Sequence, residues 1–364
     1  MKPIDAHLMK SNEEFSRLRL SKQIEPWEDG LRTSGKFGEY EWWYSDIKID
    51  GGASLVIVFF TAPMTATVKG FVPNAIFNLN LPDGREIKKS VTAGLDEAHY
   101  LNDHCDVKVG KCYIKGDLNS YVIHYEHEEI VCDVTLDSNI RSWRPETGHI
   151  IFGKRDYFAW LPSVPEGKAS VNLSIGNEKL KLSGTGYHDH NWGNKGMFWL
   201  MHHWYWGRAK IGPYQLITSF ITAREKYGYE HFPIFMLARD GEKIADNGEY
   251  VTYRQENPEY DKITNKHYFK KLTYEYSDGS EHYKIVYSAE NVIERSNIED
   301  SKTMDAAKTN AFTRLLLKAA GLEPAYIRFT GIACIEKLEN GKVVEKHESP
   351  ALWELMYFGK DADV

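Results

Sequence analysis

The chain has 364 residues, 42% hydrophobic and 27% charged, which suits two folded domains with real cores. A formal net charge of -7, a pI near 6.1 and no long basic run argue against nucleic-acid binding, and acidic substrates gain no long-range steering. The four cysteines, Cys105, Cys112, Cys132 and Cys334, are scattered without a C-x-x-C pair, so neither a zinc ribbon nor a disulfide framework is expected.

In chain order, MKPIDAHLMKSNEEF lacks an apolar h-region, so no secretory signal is expected. Ser11 with Glu14 reads as a capping box ahead of a short helix over EFSRLRL. Most of the remaining chain reads as strands: SLVIVFF, AIFNLNL, CDVKVG, YVIHYEH, IVCDVTLD, SVNLSIG, YQLITSFI, PIFMLARD, YKIVYSA and YIRFTGIACIEKL. Turn signals such as DGG, PDG, RDG, SDG and ENG separate many of them. Strands this numerous and closely spaced predict an all-β chain of antiparallel barrels or sandwiches, not βαβ units. A second helix is expected near 305–320, in DAAKTNAFTRLLLKAAGL, where it would pack on a sheet as a plug or lid and stop at Gly321. The longest apolar runs, such as LVIVFF (55–60), are strand-sized and too short for a membrane span. A soluble, reduced, cytoplasmic protein is the expectation.

An internal echo divides the chain. EWWYSDIKIDGGASLVIVFFT (41–61) aligns with HWYWGRAKIGPYQLITSFIT (203–222), placing Trp42 on Trp204, Tyr44 on Trp206, Lys48 on Lys210 and Ile49 on Ile211. After a one-residue gap, Leu55 falls on Leu216 and Val56 on Ile217. Two related barrels, each opening with such a hairpin, would explain the match, with domains over 1–196 and 197–364.

The run GTGYHDHNWGN (184–194) gathers two imidazoles, a carboxylate, a carboxamide and two aromatics between glycines. In an extended strand Tyr187, Asp189 and Asn191 share one face, and His188, His190 and Trp192 the other. Glu41 and Trp43 likewise lie opposite Trp42, Tyr44 and Asp46, while Trp204, Trp206 and Arg208 align in the second copy. One set from each strand would reach an aromatic interior with a few ionisable groups, the usual make-up of a small-molecule site. Three roles remain open for the His-Asp-His run: acid–base work, metal ligation and structural hydrogen bonding. Two histidines are too few for a metal and no further spaced ligand set is visible, so no metal is expected. No Ser nucleophile elbow, catalytic-Cys signature or Walker motif is present, which disfavours covalent hydrolysis and phosphoryl transfer.

EPWEDGLRTSGKFGEYEWWYSDIKIDGG (25–52), YFAWLPSVPEGKASV (157–171) and GTGYHDHNWGN together resemble the carotenoid 1,2-hydratase, or hydroxyneurosporene synthase-like, family, which includes kievitone hydratase-type proteins. The resemblance covers roughly residues 25–210; beyond it only strand pattern and length match. It implies a pair of lipocalin-like antiparallel β-barrels, no cofactor, and a small, unsaturated, lipophilic substrate of isoprenoid or polyketide type. Similar fungal double-barrel proteins act as pericyclases. For a hydratase or cyclase it nominates Asp189, or an imidazolium at His188 or His190, as proton donor, with Glu41 as a second acid. Tyr187 or Arg208 would polarise a carbonyl. Trp42, Trp43, Tyr44, Trp192, Trp204 and Trp206 would line the pocket, and Asn191 would orient water. The competing readings are a pericyclase or isomerase of secondary metabolism and a non-catalytic lipocalin-like carrier.

Overall fold

The computed structural model describes residues 2–62, 69–297 and 322–361, so the helix expected near 305–320 lies outside the described residues. The chain divides into two compact units, Leu8–Gly196, and Met1–His7 together with Met197–Val364.

A short strand β1 (Ala6–Leu8) precedes α1 (Asn12–Leu18), the one α-helix among the described residues. Its capping box is formed as the sequence predicts, with the Glu14 amide donating to Ser11 Oγ at 3.2 Å and the Ser11 amide to Glu14 Oε2 at 2.9 Å. A 3-10 turn over Pro26–Asp29 then leads into the first sheet.

That sheet is built from β2 (Tyr40–Ile49), β3 (Ser54–Ala62), β4 (Asn74–Asn80), β5 (Glu86–Thr92), β6 (Ala98–Tyr100), β7 (Cys105–Val109), β8 (Cys112–Gly116), β9 (Ser120–His127), β10 (Ile130–Ser138), β11 (His149–Phe152), β12 (Asp156–Ile175) and β13 (Glu178–Gly193). The order is β5-β4-β3-β2-β13-β12-β10-β9-β8-β7-β6, with β11 also on β12. The sheet curls until β5 meets β9. Alternation explains the curl's interior: on β3 the inward Leu55, Ile57 and Phe59 are almost fully buried, each such burial stabilising by roughly 1.5–3 kcal/mol.

The second sheet contains β14 (Met201–Ile211), β15 (Tyr214–Ala223), β16 (His231–Arg239), β17 (Glu242–Ala245), β18 (Val251–Asp261), β19 (Lys266–Ser277), β20 (His282–Asn297), β21 (Ala325–Glu339) and β22 (Lys342–Tyr357). Its order, β17-β16-β15-β14-β22-β21-β20-β19-β18, repeats the first sheet from β5 through β8, beyond which the first sheet continues with β7 and β6. In both, the opening hairpin lies beside the last strand of its own sheet, β13 in the first and β22 in the second. The fold is therefore all-β, two curled antiparallel sheets of lipocalin-like type with a short helix. The echoed hairpins occupy equivalent places: Ile47 pairs with Leu55 in one and Ala209 with Leu216 in the other.

Prolines sit where the ladder tolerates them. Pro258 is on β18, an edge strand of the second sheet. Pro162 and Pro165 lie in β12, a central strand, where register shifts between Leu161, Val164 and Gly167 release it from regular pairing with β13.

Candidate functional site

The run from Gly184 to Gly193 lies on β13, between β2 and the bulged part of β12. Close approach explains its glycines. A Cβ at Gly193 would sit 2.5 Å from the Tyr40 hydroxyl oxygen, and one at Gly184 would sit 2.1 Å from the Lys48 carbonyl oxygen. Antiparallel pairing sets His190 against Trp43, His188 against Ser45, Asp189 against Tyr44 and Asn191 against Trp42. Because Trp43, Ile47 and Ile49 belong to the first core, His188 and His190 point inward and Asp189 points outward.

The inward face is a dry polar network. Glu41 takes four hydrogen bonds: from the Arg32 amide (2.7 Å) and His190 Nε2 (2.7 Å) on Oε1, and from the Thr33 amide (2.8 Å) and hydroxyl (2.6 Å) on Oε2. His190 also donates through Nδ1 to the Glu28 carbonyl at 3.2 Å and stacks on Trp43 with ring centroids 4.6 Å apart. The Trp43 indole donates to the Asp29 carbonyl at 2.9 Å. His188 Nδ1 donates to the Tyr44 carbonyl at 2.9 Å, while its Nε2 lies 3.4 Å from Asp29 Oδ2. The Tyr121 hydroxyl donates to that same Asp29 oxygen. Outside this knot, Arg144 closes a buried two-pronged pair on Glu28, with Nε to Oε2 at 2.7 Å and Nη2 to Oε1 at 3.3 Å. The 3-10 turn carrying Glu28 and Asp29 thus plugs this part of the interior.

Charges respond accordingly. Burial lifts the Asp29 carboxyl, but His188, His190 and the Tyr121 hydroxyl outweigh it and hold it below the ordinary carboxylate value. Burial depresses His188, but facing Asp29 reverses this and leaves the ring above its ordinary value. Burial, with Asp29 adding to it, pushes the Cys105 thiol well up. Asp29, Cys105 and His188 are also the one group of three metal-ligating side chains found among the described residues with ligand atoms all within 4.8 Å of one another.

The outward face centres on Asp189. Its Oδ2 accepts from the Tyr187 hydroxyl at 2.7 Å and from the Trp160 indole at 2.8 Å, and its Oδ1 accepts from Asn191 Nδ2 at 2.7 Å. Burial pushes the carboxyl up to about 6, against the pull of those three donors and His188. Tyr44 meets Tyr187 edge-on at 6.4 Å, and Trp42 lies 5.6 Å from Tyr40 and 6.5 Å from Phe60. A carboxylate fixed by three donors beside aromatic rings can hold polar groups in set directions against an apolar ligand.

Of the residues singled out from sequence, Tyr187, Asp189, Asn191, Trp42 and Tyr44 come together on the outer face. His188, His190, Trp192, Glu41 and Trp43 come together inside, so the two sets do not share one chamber. Trp204, Trp206 and Arg208 belong to the second unit, where Tyr205, Ala209 and Ile211 of β14 enter the core and the alternate residues face outward. There Glu354 lies opposite Trp206 as Asp189 lies opposite Tyr44, and the Tyr326 hydroxyl donates to Glu354 Oε2 at 2.7 Å as Trp160 donates to Asp189. Asp29, Cys105, Tyr121, Trp160, Glu28 and Arg144 were not read from sequence. Glu28, Asp29 and Trp160 sit within EPWEDG and YFAWLP, two of the motifs that carry the resemblance. Two surface concavities of about 480 and 820 Å³ lie elsewhere and contain none of these residues.

No helix among the described residues is long and apolar enough to cross a membrane. Among curated proteins, the chain is 37% identical to the quinolone epoxide rearrangement protein asqO of Emericella nidulans over 70 residues, 19% of each chain. It is 29% identical to the Diels-Alderase poxQ of Penicillium oxalicum over 154 residues, 39% of this chain and 34% of that protein. These alignments span from about a fifth to a third of the relatives' length. Among solved structures, CghA with Sch210972 matches at a TM-score of 0.60 and 13% identity, covering 93% of this chain and 97% of that one. Kievitone hydratase from Nectria haematococca matches at 0.55 and 13%, covering 98% and 97%. Both share the fold. Residues 11–295 match the Diels-Alderase-like family along most of the chain, and the protein belongs to that family.

Proposed function

We propose that the protein is an enzyme of secondary metabolism that folds an unsaturated lipophilic molecule for pericyclic ring closure or skeletal rearrangement. The observation that carries this reading is the Asp189 hub: one buried carboxylate orients the Tyr187 hydroxyl, the Trp160 indole and the Asn191 amide on an aromatic face. Closure of a polyene needs its reacting ends held together and a few hydrogen bonds to a polarised carbonyl, which such a face supplies. Tyr187 and Asn191 would direct the substrate's polar end, and Trp42 and Tyr44 would lie along its chain. Trp204, Trp206 and Arg208 would serve the equivalent face of the second unit. The likeness to a Diels-Alderase and to a quinolone epoxide rearrangement protein supports this class of chemistry.

A second reading, closer to the carotenoid-hydratase resemblance, draws on the same carboxyl. Asp189 would protonate an alkene and water would quench the cation among the rings.

The test is product analysis in oxygen-labelled water, with synthetic polyenes carrying a diene and a dienophile, and with quinolone epoxides. A stereochemically uniform isomer of unchanged mass supports closure or rearrangement. Gain of one labelled water selects the hydratase instead. Tight binding of these compounds without turnover would leave a carrier and defeat both enzymatic readings.

A further inference from the structure

We propose that the first barrel holds a zinc ion between Asp29, Cys105 and His188, a site separate from the proposed reaction and independent of it. The three side chains come from the 3-10 turn, β7 and β13, and each is at most 1% exposed. Their ligand atoms lie within 4.8 Å of one another. Zinc with bonds of about 2.0–2.3 Å spaces its ligands about 3.3–3.8 Å apart, so a contraction of up to about 1.5 Å completes the geometry.

Two further observations point to a cation. His188 gives its Nδ1 proton to the Tyr44 carbonyl, so in the neutral ring Nε2 carries the lone pair, and it faces Asp29. This is how a ligating histidine is oriented by a carbonyl behind it. In addition, His188 Nε2 and Asp29 Oδ1, both deeply buried, make no hydrogen bond of ordinary geometry among the described residues and are held only by long contacts, 3.4 Å to Asp29 Oδ2 and 3.5 Å to His190 Nδ1 respectively. A cation bound between them would take the place of the protons that the histidines and Cys105 set against the Asp29 carboxylate. The Tyr121 hydroxyl, already bonded to Asp29, would orient that carboxylate from behind.

The ligand set selects the metal. A thiolate with imidazole and carboxylate suits zinc and disfavours magnesium or calcium. Asp29 and ionised Cys105 together neutralise a divalent ion, with His188 neutral. On binding, the Cys105 S–H bond breaks, a sulfur–zinc bond forms and the proton leaves to solvent; any proton held between His188 and Asp29 leaves likewise.

The experiment measures zinc in the full chain purified from zinc-supplemented cells, and the spectrum of the chain unfolded, stripped and refolded with cobalt(II). About one zinc per chain and a thiolate-to-cobalt charge-transfer band are expected. Cys105→Ala should lower metal occupancy more than about tenfold and abolish the band, whereas Cys112→Ala and Cys132→Ala, also buried in this barrel, should keep both. Should Cys105→Ala fail to fold, the wild-type cobalt spectrum still decides. Metal-free wild type from both preparations, or a band that survives in Cys105→Ala, would overturn the proposal and leave a proton holding the His188–Asp29 pair.

Discussion

Asp189 accepts two hydrogen bonds on one oxygen and one on the other, so its three donors lose their common acceptor when its charge is removed. Asp189→Asn keeps the shape but sets an NH2 group against donors. Turnover should fall by about 10²-fold or more, while ligand affinity, followed by tryptophan fluorescence, changes little. Unchanged turnover would remove the hub from the mechanism. Arg144 supports a different prediction, because it and Glu28 are both buried, and Arg144 is the one cationic partner, among the described residues, bonded to a carboxylate that otherwise accepts from the Glu25 amide. Arg144→Met strands the Glu28 carboxylate and should cost about 3–5 kcal/mol in urea unfolding. Adding Glu28→Leu should recover much of that loss, since both charges are then gone. A double variant no more stable than the single one would mean that packing, not the uncompensated charge, sets the cost.

At the scale of the element, β14 carries a pH response. Burial first, then Arg224 and Lys266, hold His202 at about 4, although the Lys360 backbone and Asp361 pull upward. Burial first, then His202 and His231, hold His203 at about 3. Both values lie below the ordinary 6.5, so the unfolded chain takes up protons that the folded chain refuses. Stability should therefore be intact above about pH 6.5 and fall as pH drops toward 4, by on the order of 1 kcal/mol per pH unit for each ring. A melting series across that window checks it, and His203→Gln should flatten the slope; a profile unaffected by that change contradicts the assignment.

Strand alternation made much of this legible. Apolar strands such as β3 and β15 stand out in the sequence, and the same two-residue period separates His188 and His190 from Asp189. Strands rich in lysine and glutamate were harder: β5 reads EIKKSVT, and the first half of β22 is KVVEKHES before Pro350. There the outer face is solvated and the signal is a few half-buried side chains. The partners of His188 were illegible for another reason. Asp29 and Cys105 approach it only through barrel closure, and no local spacing encodes a meeting of three distant strands and turns.

For the molecule as a whole, the repeat is the organising fact. Each unit sets a carboxylate on its closing strand, opposite an outward aromatic of its opening hairpin, and bonds it to an aromatic donor on the next strand. If the two arrangements are equivalent, Trp160→Phe and Tyr326→Phe should each destabilise by about 1–3 kcal/mol, the cost of a lost buried bond. Hydrogen exchange should then quicken in β12 and β13 for the first change and in β21 and β22 for the second. Faster exchange spread evenly through both sheets would deny the units their separate hydrogen-bond networks.

The pairing of β14 with β22 reaches further, into how the chain is made. During synthesis β14 emerges long before the strand that completes it, since β22 comes after every other strand of its sheet. Until then one flank of an aromatic hairpin stands open as a template for any neighbouring chain. A chain stalled before the segment around Trp353 has left the ribosome keeps that flank unsatisfied, so nascent chains of this length should call on chaperones or aggregate, whereas stalling after β13 has left the ribosome finds the first sheet already sealed.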